Sequence, residues 1–241
     1  FVTPEEELLL VSTAGFFRYS PDTGKVNKIE QLSTSIDSRN AAGFIQGAKP
    51  NTTLISVYGQ LWEMDNTTTQ VTLIHETPLQ QLKSKVYPSD VLIDANNIMW
   101  ITYPGYGLVG IDALTHEKKF FYNKQNLLPN NAIFDMQQDT QGNIWLSSNS
   151  GLIKFSPQSH HIQKFDQRQG LANSEFNSDT SVTLLDGRMV YGSPKGLIFF
   201  DPLKIYVQER NETIVAITYV ILVLSLLHNR LCRRINHCDL S

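Results

Sequence analysis

Five short segments of the chain resemble one another and recur at a nearly constant interval. Each begins with glycine and continues as a short apolar run, and most of them close on Asp or on Ser-Pro. The glycines are separated by 44, 48, 44 and 45 residues, and they are Gly15, Gly59, Gly107, Gly151 and Gly196. An interval near 45 residues is the length of four short strands with their turns, which is typical of one β-propeller blade.

A second repeated feature lies upstream of the later glycines and pairs an aspartate with an aromatic residue. The pairs are Asp94 with Trp100, Asp139 with Trp145 and, more loosely, Asp186 with Tyr191. We expect each aspartate to form a turn, and each aromatic ring to fill the wedge between neighbouring twisted sheets. The repeated glycine permits a sharp turn or a close approach of two blades.

The fourth repeat can be divided into four strands. Residues 131–138, 143–148, 152–155 and 161–166 are expected strands, separated by turns rich in Gly, Asn, Ser and Pro. No segment carries a sustained apolar stripe of helical period. The sequence therefore predicts an all-β chain, a β-propeller of four-stranded antiparallel blades with about five blades visible.

The repeats divide the chain into a propeller over residues 1–207 and a tail over residues 208–241. The blades are expected around residues 5–35, 40–80, 85–125, 128–168 and 170–207. In the tail, Thr213–Leu227 is uncharged and precedes Arg230, Arg233 and Arg234. As a helix it would span about 22 Å, short of the ~30 Å hydrocarbon core. Its Val, Ile, Thr and Tyr content also suits a strand, so both alternatives stay open.

Composition excludes several classes of protein. Of the 241 residues, 41% are hydrophobic and 18% are charged, with a net charge of −3, which argues against disorder and against a nucleic-acid partner. Both cysteines, Cys232 and Cys238, lie in the tail. The body of the chain therefore has no disulfide scaffold, no thiolate zinc site and no cysteine nucleophile.

In an up-and-down blade, the loop entering the inner strand and the turn between the second and third strands lie at the same edge. We call this edge the polar loop surface, because its predicted loops are rich in Asn, Tyr and Ser. Such side chains suit a small polar ligand such as a carbohydrate, although Asn and Ser are also ordinary turn formers. The candidate ligand-binding residues are Tyr103, Tyr106, Asn130, Asn131, Asn149, Asn173, Glu175 and Asn177.

Catalytic motifs are sparse. His160 and His161 fall in a predicted outer turn, and adjacent strand residues point to opposite sides, so they make a poor chelating pair. The chain has no phosphate-binding loop, no Gly-x-Ser-x-Gly and no His-Glu-x-x-His motif. We expect no catalytic residue, no metal site and no cofactor.

The repeat resembles the two-component regulator propeller family. The fourth repeat matches its motif at Leu128-Pro129-Asn130, at Asp139 through Trp145, and at Gly151-Leu152 with Phe155. The last repeat, over residues 170–202, looks like the closing blade of such sensors. The likeness is good over residues 85–203 and weak over residues 5–84.

This resemblance implies the periplasmic sensor region of a bacterial membrane signalling protein, either a hybrid two-component protein or a diguanylate cyclase. In that family the propellers precede an immunoglobulin-like domain, a membrane helix and a cytoplasmic output domain. Five blades are fewer than the family commonly has, so the chain is expected to be the C-terminal part of a larger propeller. Thr213–Leu227 would then be the first strand of the immunoglobulin-like domain or a short membrane anchor, and any other membrane contact would come through the parent protein.

The leading functional hypothesis is a non-catalytic, ligand-sensing module that transmits binding to a separate output domain. One alternative is a propeller lyase acting on a small molecule, and another is a platform for protein interaction or dimerisation. Because an open array of blades exposes sheet edges and apolar faces, we expect the blades to close as a ring or to self-associate.

Overall fold

The computed structural model describes residues 1–3, 6–47, 49–77 and 86–205, and the backbone of residues 218–220. Within these ranges the chain forms five antiparallel sheets, one short helix, α1 (Glu30–Ser35), and two 3-10 turns, Ser38–Asn40 and Gln167–Gln169. The predicted all-β fold, built of antiparallel propeller blades, is confirmed. The chain divides into two compact units, Phe1–Ala132 and Ile133–Ser241, and each is described by itself.

The first unit contains blades 1, 2 and 3, whose strands follow one another in chain order within each sheet. Blade 1 has three strands, and blades 2 and 3 have four each. The strands of blade 1 are β1 (Leu8–Ser12), β2 (Gly15–Ser20) and β3 (Lys25–Lys28). Those of blade 2 are β4 (Ala41–Gln46), β5 (Thr52–Val57), β6 (Gln60–Asp65) and β7 (Val71–Glu76). Those of blade 3 are β8 (Asp90–Ile93), β9 (Ile98–Tyr103), β10 (Gly107–Asp112) and β11 (Lys118–Tyr122).

The second unit contains blades 4 and 5, each with four strands. Blade 4 comprises β12 (Ile133–Gln138), β13 (Ile144–Ser148), β14 (Gly151–Ser156) and β15 (His161–Phe165). Blade 5 comprises β16 (Ser181–Thr183), β17 (Met189–Ser193), β18 (Gly196–Phe200) and β19 (Thr218–Val220). The four strands expected in the fourth repeat are thus present, with bounds shifted by one or two residues.

Strand β19 lies inside the uncharged run for which the sequence left a strand and a membrane anchor open. It pairs with β18 through Leu197 opposite Val220 and Phe199 opposite Thr218, so Thr218–Val220 supplies the fourth strand of blade 5. The rest of the 208–241 tail lies outside the described residues. No helix among the described residues has the length and apolarity needed to cross a membrane.

The aspartate–tryptophan pairs of the repeat are hydrogen-bonded units. Trp100 Nε1 donates to Asp94 Oδ2 at 2.9 Å, and Trp145 Nε1 donates to Asp139 Oδ2 at 3.0 Å. The other oxygen of each carboxylate accepts backbone N–H groups of its own turn. In blade 5, Tyr191 takes the place of tryptophan, and its hydroxyl donates to the carbonyl of Trp145 at 2.8 Å. Trp145 and Tyr191 therefore lie in the cluster between blades 4 and 5, and both tryptophans are hydrogen-bonded to the aspartate of their own turn.

The repeated glycine begins β2 of blade 1 and the third strand of blades 3, 4 and 5. Gly15, Gly107, Gly151 and Gly196 have φ between +124° and +134°, a conformation that L side chains rarely adopt. A Cβ on Gly107 or Gly151 would also lie 2.2 or 2.1 Å from a carbonyl oxygen of the fourth strand. In blade 2, Gly59 lies one residue earlier, inside the turn, with φ +70°, and Gln60 begins the strand.

The turns that lead into the last strand of blades 1 to 4 share a left-handed residue. Gly24, Thr69, His116 and His160 have φ between +53° and +65°. Asp65 and Asp112 each accept two backbone N–H groups at the start of their turns. His160 is exposed in such a turn and His161 begins β15, which agrees with the expected outer turn.

Neighbouring blades within a unit pack face to face. We call the side of a blade that packs on the preceding blade its upstream face, and the opposite side its downstream face. Side chains on these faces are nearly inaccessible to solvent and form one hydrophobic cluster for each pair of blades. The clusters join Leu9 and Phe16 of blade 1 to Ile55 and Met64 of blade 2, Leu54 and Leu61 of blade 2 to Ile101 and Val109 of blade 3, and Trp145 and Leu152 of blade 4 to Tyr191 and Ile198 of blade 5.

Candidate functional site

The polar loop surface of the first unit is assembled by backbone hydrogen bonds. Gly105 N–H donates to the carbonyl of Asn131 at 2.9 Å, which joins the turn between β9 and β10 to the loop that follows β11. Gly59 N–H donates to the carbonyl of Val86 at 2.7 Å and joins the corresponding turn of blade 2 to the loop entering blade 3. The predicted sharing of one edge by these loops is therefore present in this unit.

Tyr103 lies under this surface and is buried. Its hydroxyl shares a 2.7 Å hydrogen bond with Nδ1 of His75, a half-buried residue of β7 that the sequence analysis did not select. Burial, together with the charge of Lys118, lowers the pKa of His75 to about 4, and burial raises the pKa of Tyr103. Both groups are therefore neutral at pH 7, and the pair joins blade 2 to blade 3.

Tyr106 is the more accessible of the two selected tyrosines. Its ring stacks on Phe121 with centroids 4.6 Å apart and meets Tyr103 edge to face at 6.0 Å. The side chain is half-buried, so its ring is held in place while part of it faces solvent. This arrangement offers a fixed aromatic surface and a hydroxyl to a ligand.

The asparagines of the loop before blade 4 are used largely to build the loop. Asn131 Oδ1 accepts from the backbone of Lys124 at 2.6 Å, and Asn130 Oδ1 accepts from Ala132 N–H at 2.8 Å. Asn123 and Asn126 cap the same loop in similar ways. The amide oxygens of Asn130 and Asn131 are thus engaged within the chain.

Two further tyrosines belong to the polar loop surface of the first unit and were missed. Tyr58, in the turn between β5 and β6, and Tyr87, in the loop entering blade 3, are half-buried with rings 6.0 Å apart. Tyr58 N–H donates to the carbonyl of Asn40, and Ser56 Oγ donates to that of Pro88. The sequence could have indicated Tyr58, because it lies in the turn of blade 2 that is equivalent to the turn of blade 3 containing Tyr106.

In the second unit, one anchored aromatic residue positions the loop entering blade 5. Phe176 is buried and meets Tyr191 edge to face at 5.9 Å. Its neighbours Glu175 and Asn177 consequently face solvent. Asn173 is buried, and its side-chain amide bonds both the N–H and the carbonyl of Glu175. Asn173 therefore shapes the loop, while Glu175 and Asn177 present polar groups to solvent.

The remaining selected residue, Asn149, is exposed in the turn between β13 and β14 of the same unit. Ser148 closes this turn, since its hydroxyl donates to the carbonyl of Gly151 and accepts from Ser150 N–H. Ser193 closes the equivalent turn of blade 5 in the same way. Asn149 is thus displayed on a rigid hairpin.

A buried carboxylate joins the inner strands of the second unit. Asp135 of β12 accepts backbone N–H groups of Asp179 and Thr180 at 2.8 and 2.9 Å. Gln137 of β12 bonds Ser181 and Thr183 of β16. These contacts account for both oxygens of Asp135 as structural acceptors. Within the described ranges, no group of three or more His, Cys, Asp or Glu side chains is arranged to hold a metal ion.

One segment of the chain matches a known protein family. Residues 127–150, which cover the loop before blade 4 and its first strands, match the family described as "Two component regulator propeller". The resemblance seen in the sequence is confirmed.

The chain is also similar to a small part of a histidine kinase. Histidine kinase P4 of Formosa agariphila is 31% identical over 85 residues, which is 35% of this chain and 6% of that protein. The chain therefore matches only a small part of this relative.

Solved structures support the fold. The extracellular domain assigned to a one-component system, BT4673, of Bacteroides thetaiotaomicron has a TM-score of 0.66 at 17% identity, over 86% of this chain and 27% of that chain. The extracellular domain assigned to a hybrid two-component system, BT3049, of the same organism has a TM-score of 0.63 at 15% identity, over 87% and 28%. This chain thus spans about a quarter of the length of either structure.

Proposed function

We propose that this chain is an extracytoplasmic, ligand-sensing propeller module of a bacterial signal-transduction protein. The observation that carries the proposal is the regulator-propeller repeat at residues 127–150. The 31% identity to a small part of a histidine kinase and the likeness to extracellular domains of one-component and hybrid two-component systems support the same role. The module itself is non-catalytic, and a separate output domain performs the chemistry of the signal.

The ligand is a small neutral polar molecule such as a carbohydrate. In the first unit, the half-buried rings of Tyr58, Tyr87 and Tyr106 offer apolar surfaces edged by hydroxyl groups. In the second unit, Glu175 and Asn177 offer a carboxylate and an amide. Sugar rings present C–H faces to aromatic rings and hydroxyl groups to amides and carboxylates, so both surfaces suit this chemistry.

Transmission requires that the ligand binds one state of the module more tightly than another. The turns of blades 2 and 3 are joined to the loops that follow these blades, as the Gly59–Val86 and Gly105–Asn131 hydrogen bonds show. A ligand held by loops of two blades would therefore favour one arrangement of those blades. The output domain would respond to that arrangement.

The first test is a thermal-shift screen of the chain against a panel of neutral mono- and disaccharides. A sugar present at ten times its Kd should stabilise the chain by about 1.4 kcal/mol, which corresponds to a rise in Tm of about 3–5 °C. Tyr106→Ala, Tyr58→Ala, Glu175→Ala and Asn177→Ala should each be compared with wild type, and loss of the shift assigns the surface that binds. Leu114→Ala, at an exposed turn residue away from these loops, is the control and should keep the shift.

Two outcomes separate the alternatives. Conversion of a panel sugar to a product, followed by NMR, would favour the lyase. The absence of any shift across the panel, together with concentration-dependent self-association, would favour the interaction platform.

A further inference from the structure

The hydroxyl of Tyr103 is buried and is paired with one imidazole. Tyr103 is 0% exposed and belongs to the hydrophobic cluster between blades 2 and 3. Its hydroxyl lies 2.7 Å from Nδ1 of His75, and the two rings are 5.5 Å apart between centroids. Among the described residues, this imidazole is the hydrogen-bond partner of that hydroxyl. A buried hydroxyl that loses its partner is costly to keep in place, because no protein group or water replaces the bond.

Tyr103 in turn supports Tyr106, the accessible tyrosine of the same turn. Tyr106 N–H donates to the carbonyl of Tyr103 at 2.9 Å, and this bond closes the turn between β9 and β10. The Tyr106 ring meets the Tyr103 ring at an angle of 87° and also stacks on Phe121. The orientation of the Tyr106 ring therefore depends on two neighbouring rings, and Tyr103 is one of them.

The end of β7 fixes the position of His75. Thr77 is buried two residues further along, and its N–H and its hydroxyl both donate to the carbonyl of Gly59, at 2.8 and 3.0 Å. Gly59 lies in the turn that also contains Tyr58. A continuous set of contacts thus leads from the Tyr58 turn of blade 2, through His75, to the tyrosines of blade 3.

We propose that His75 is a positioning residue of the polar loop surface: its hydrogen bond to Tyr103 fixes the orientation in which the Tyr106 ring is presented to a ligand. His75 acts through Tyr103 and makes no contact of its own with the ligand. The consequence for sugar affinity rests on the proposed function, whereas the orientation of the ring does not. Breaking one such hydrogen bond should weaken sugar binding at this surface by about three- to tenfold.

Nuclear magnetic resonance of the full chain with ¹³C-labelled tyrosine rings measures the orientation without a ligand. The Tyr106 signal is the one that disappears in Tyr106→Phe, and stacking on Phe121 shifts it upfield. His75→Leu leaves the buried hydroxyl of Tyr103 unpaired, so the Tyr106 signal should move towards that of a solvent-exposed tyrosine. His75→Asn places an amide group where Nδ1 lies and should keep the wild-type signal.

The decisive variant combines His75→Leu with Tyr103→Phe. Both partners of the hydrogen bond are then apolar and no buried hydroxyl is left unpaired, so the Tyr106 signal should return to its wild-type position. His161→Leu, the same substitution at an exposed residue of β15, is the control and should leave the signal unchanged. Circular dichroism confirms that each variant is folded, and His75→Val repeats the test with a residue that suits a strand. A Tyr106 signal that stays in place in His75→Leu, or that does not return in the double variant, would overturn the proposal.

A sugar titration tests the consequence separately. A panel sugar whose binding is abolished by Tyr106→Ala should bind His75→Leu about three- to tenfold more weakly than wild type, and should bind the double variant like wild type. Equal affinity of His75→Leu and wild type for that sugar would also overturn the proposal. If the Tyr106 signal behaves as expected and no panel sugar binds, the positioning of the ring by His75 stands and the proposed function fails.

Discussion

Replacing Gly151 by alanine should destabilise the second unit far more than replacing Gly142. Both glycines have positive φ, +124° and +83°, so alanine is strained at either position. A Cβ on Gly142 would meet nothing within 4 Å, and the cost there is conformational alone, about 1–2 kcal/mol. Alanine is strained at both positions, and at Gly151 its Cβ also meets a carbonyl oxygen.

At Gly151 the added Cβ would lie 2.1 Å from the carbonyl oxygen of Phe165, more than 1 Å inside ordinary contact. Relief requires β15 to move away from β14 at the point where Leu152 pairs with Phe165. That movement weakens backbone hydrogen bonds worth about 1 kcal/mol each and separates Phe165 from Trp145, whose rings stack at 5.3 Å. Together with the backbone strain, these losses should lower the free energy of unfolding by at least about 4 kcal/mol.

The assay is urea denaturation of both variants beside wild type, followed by far-UV circular dichroism and tryptophan fluorescence. Gly142→Ala should shift the midpoint slightly, and Gly151→Ala should shift it several-fold further or leave the second unit unfolded in buffer. Equal shifts for the two variants would refute the assignment of this glycine to a close approach of strands.

Three further predictions concern single contacts. Trp145→Phe removes the hydrogen bond to the buried Asp139 carboxylate. In urea denaturation it should lower the free energy of unfolding by about 1–3 kcal/mol more than Trp62→Phe, which removes a hydrogen bond to Gln60. Thr69→Gly should raise stability by about 1 kcal/mol, because a β-branched residue there has φ +59°, whereas Thr68→Gly in the same turn should lower it. Because the pKa of His75 is lowered from 6.5 to about 4, the unfolded chain binds the proton more readily, and wild type should lose stability as pH falls from about 6.5 to 4. His75→Gln should flatten that part of the pH profile of the denaturation midpoint, and an unchanged slope would contradict the burial of this imidazole.

The blades could be predicted because the features that build them are local and repeated. A glycine at or just before the start of a strand recurs in every blade, and a turn aspartate with an aromatic residue recurs in blades 3 to 5, as Asp139, Trp145 and Gly151 show in blade 4. The hydrogen bond between Asp139 and Trp145 was not predicted, although the six-residue spacing is the same in Asp94 and Trp100. Its detection requires the path of the turn, which spacing alone does not supply.

Other features depend on contacts between distant segments. His75 meets Tyr103 only because β7 of one blade lies against β9 of the next. Asparagine content marked the loop before blade 4 as a binding surface, but the amide oxygens of Asn130 and Asn131 serve the backbone. Composition cannot distinguish an amide that binds a ligand from one that shapes a turn, since both uses favour the same residue.

The fourth strand of blade 5 illustrates a third limit. The run from Thr213 to Leu227 satisfies both a strand and a short membrane segment by composition. Its partner, β18, ends at Phe200, whereas β19 begins at Thr218. The local sequence pattern therefore does not distinguish a strand from a membrane segment. In the structure, Thr218–Val220 forms β19 and pairs with β18.

The central claim is that the chain binds a ligand without transforming it. Equilibrium dialysis of the chain against the strongest sugar of the panel, with NMR of both compartments after a day, measures binding and chemical fate together. The account predicts saturable binding that Tyr106→Ala or Glu175→Ala weakens at least tenfold, with all of the sugar recovered unchanged. Recovery of a product, or no binding by any sugar of the panel, would contradict it.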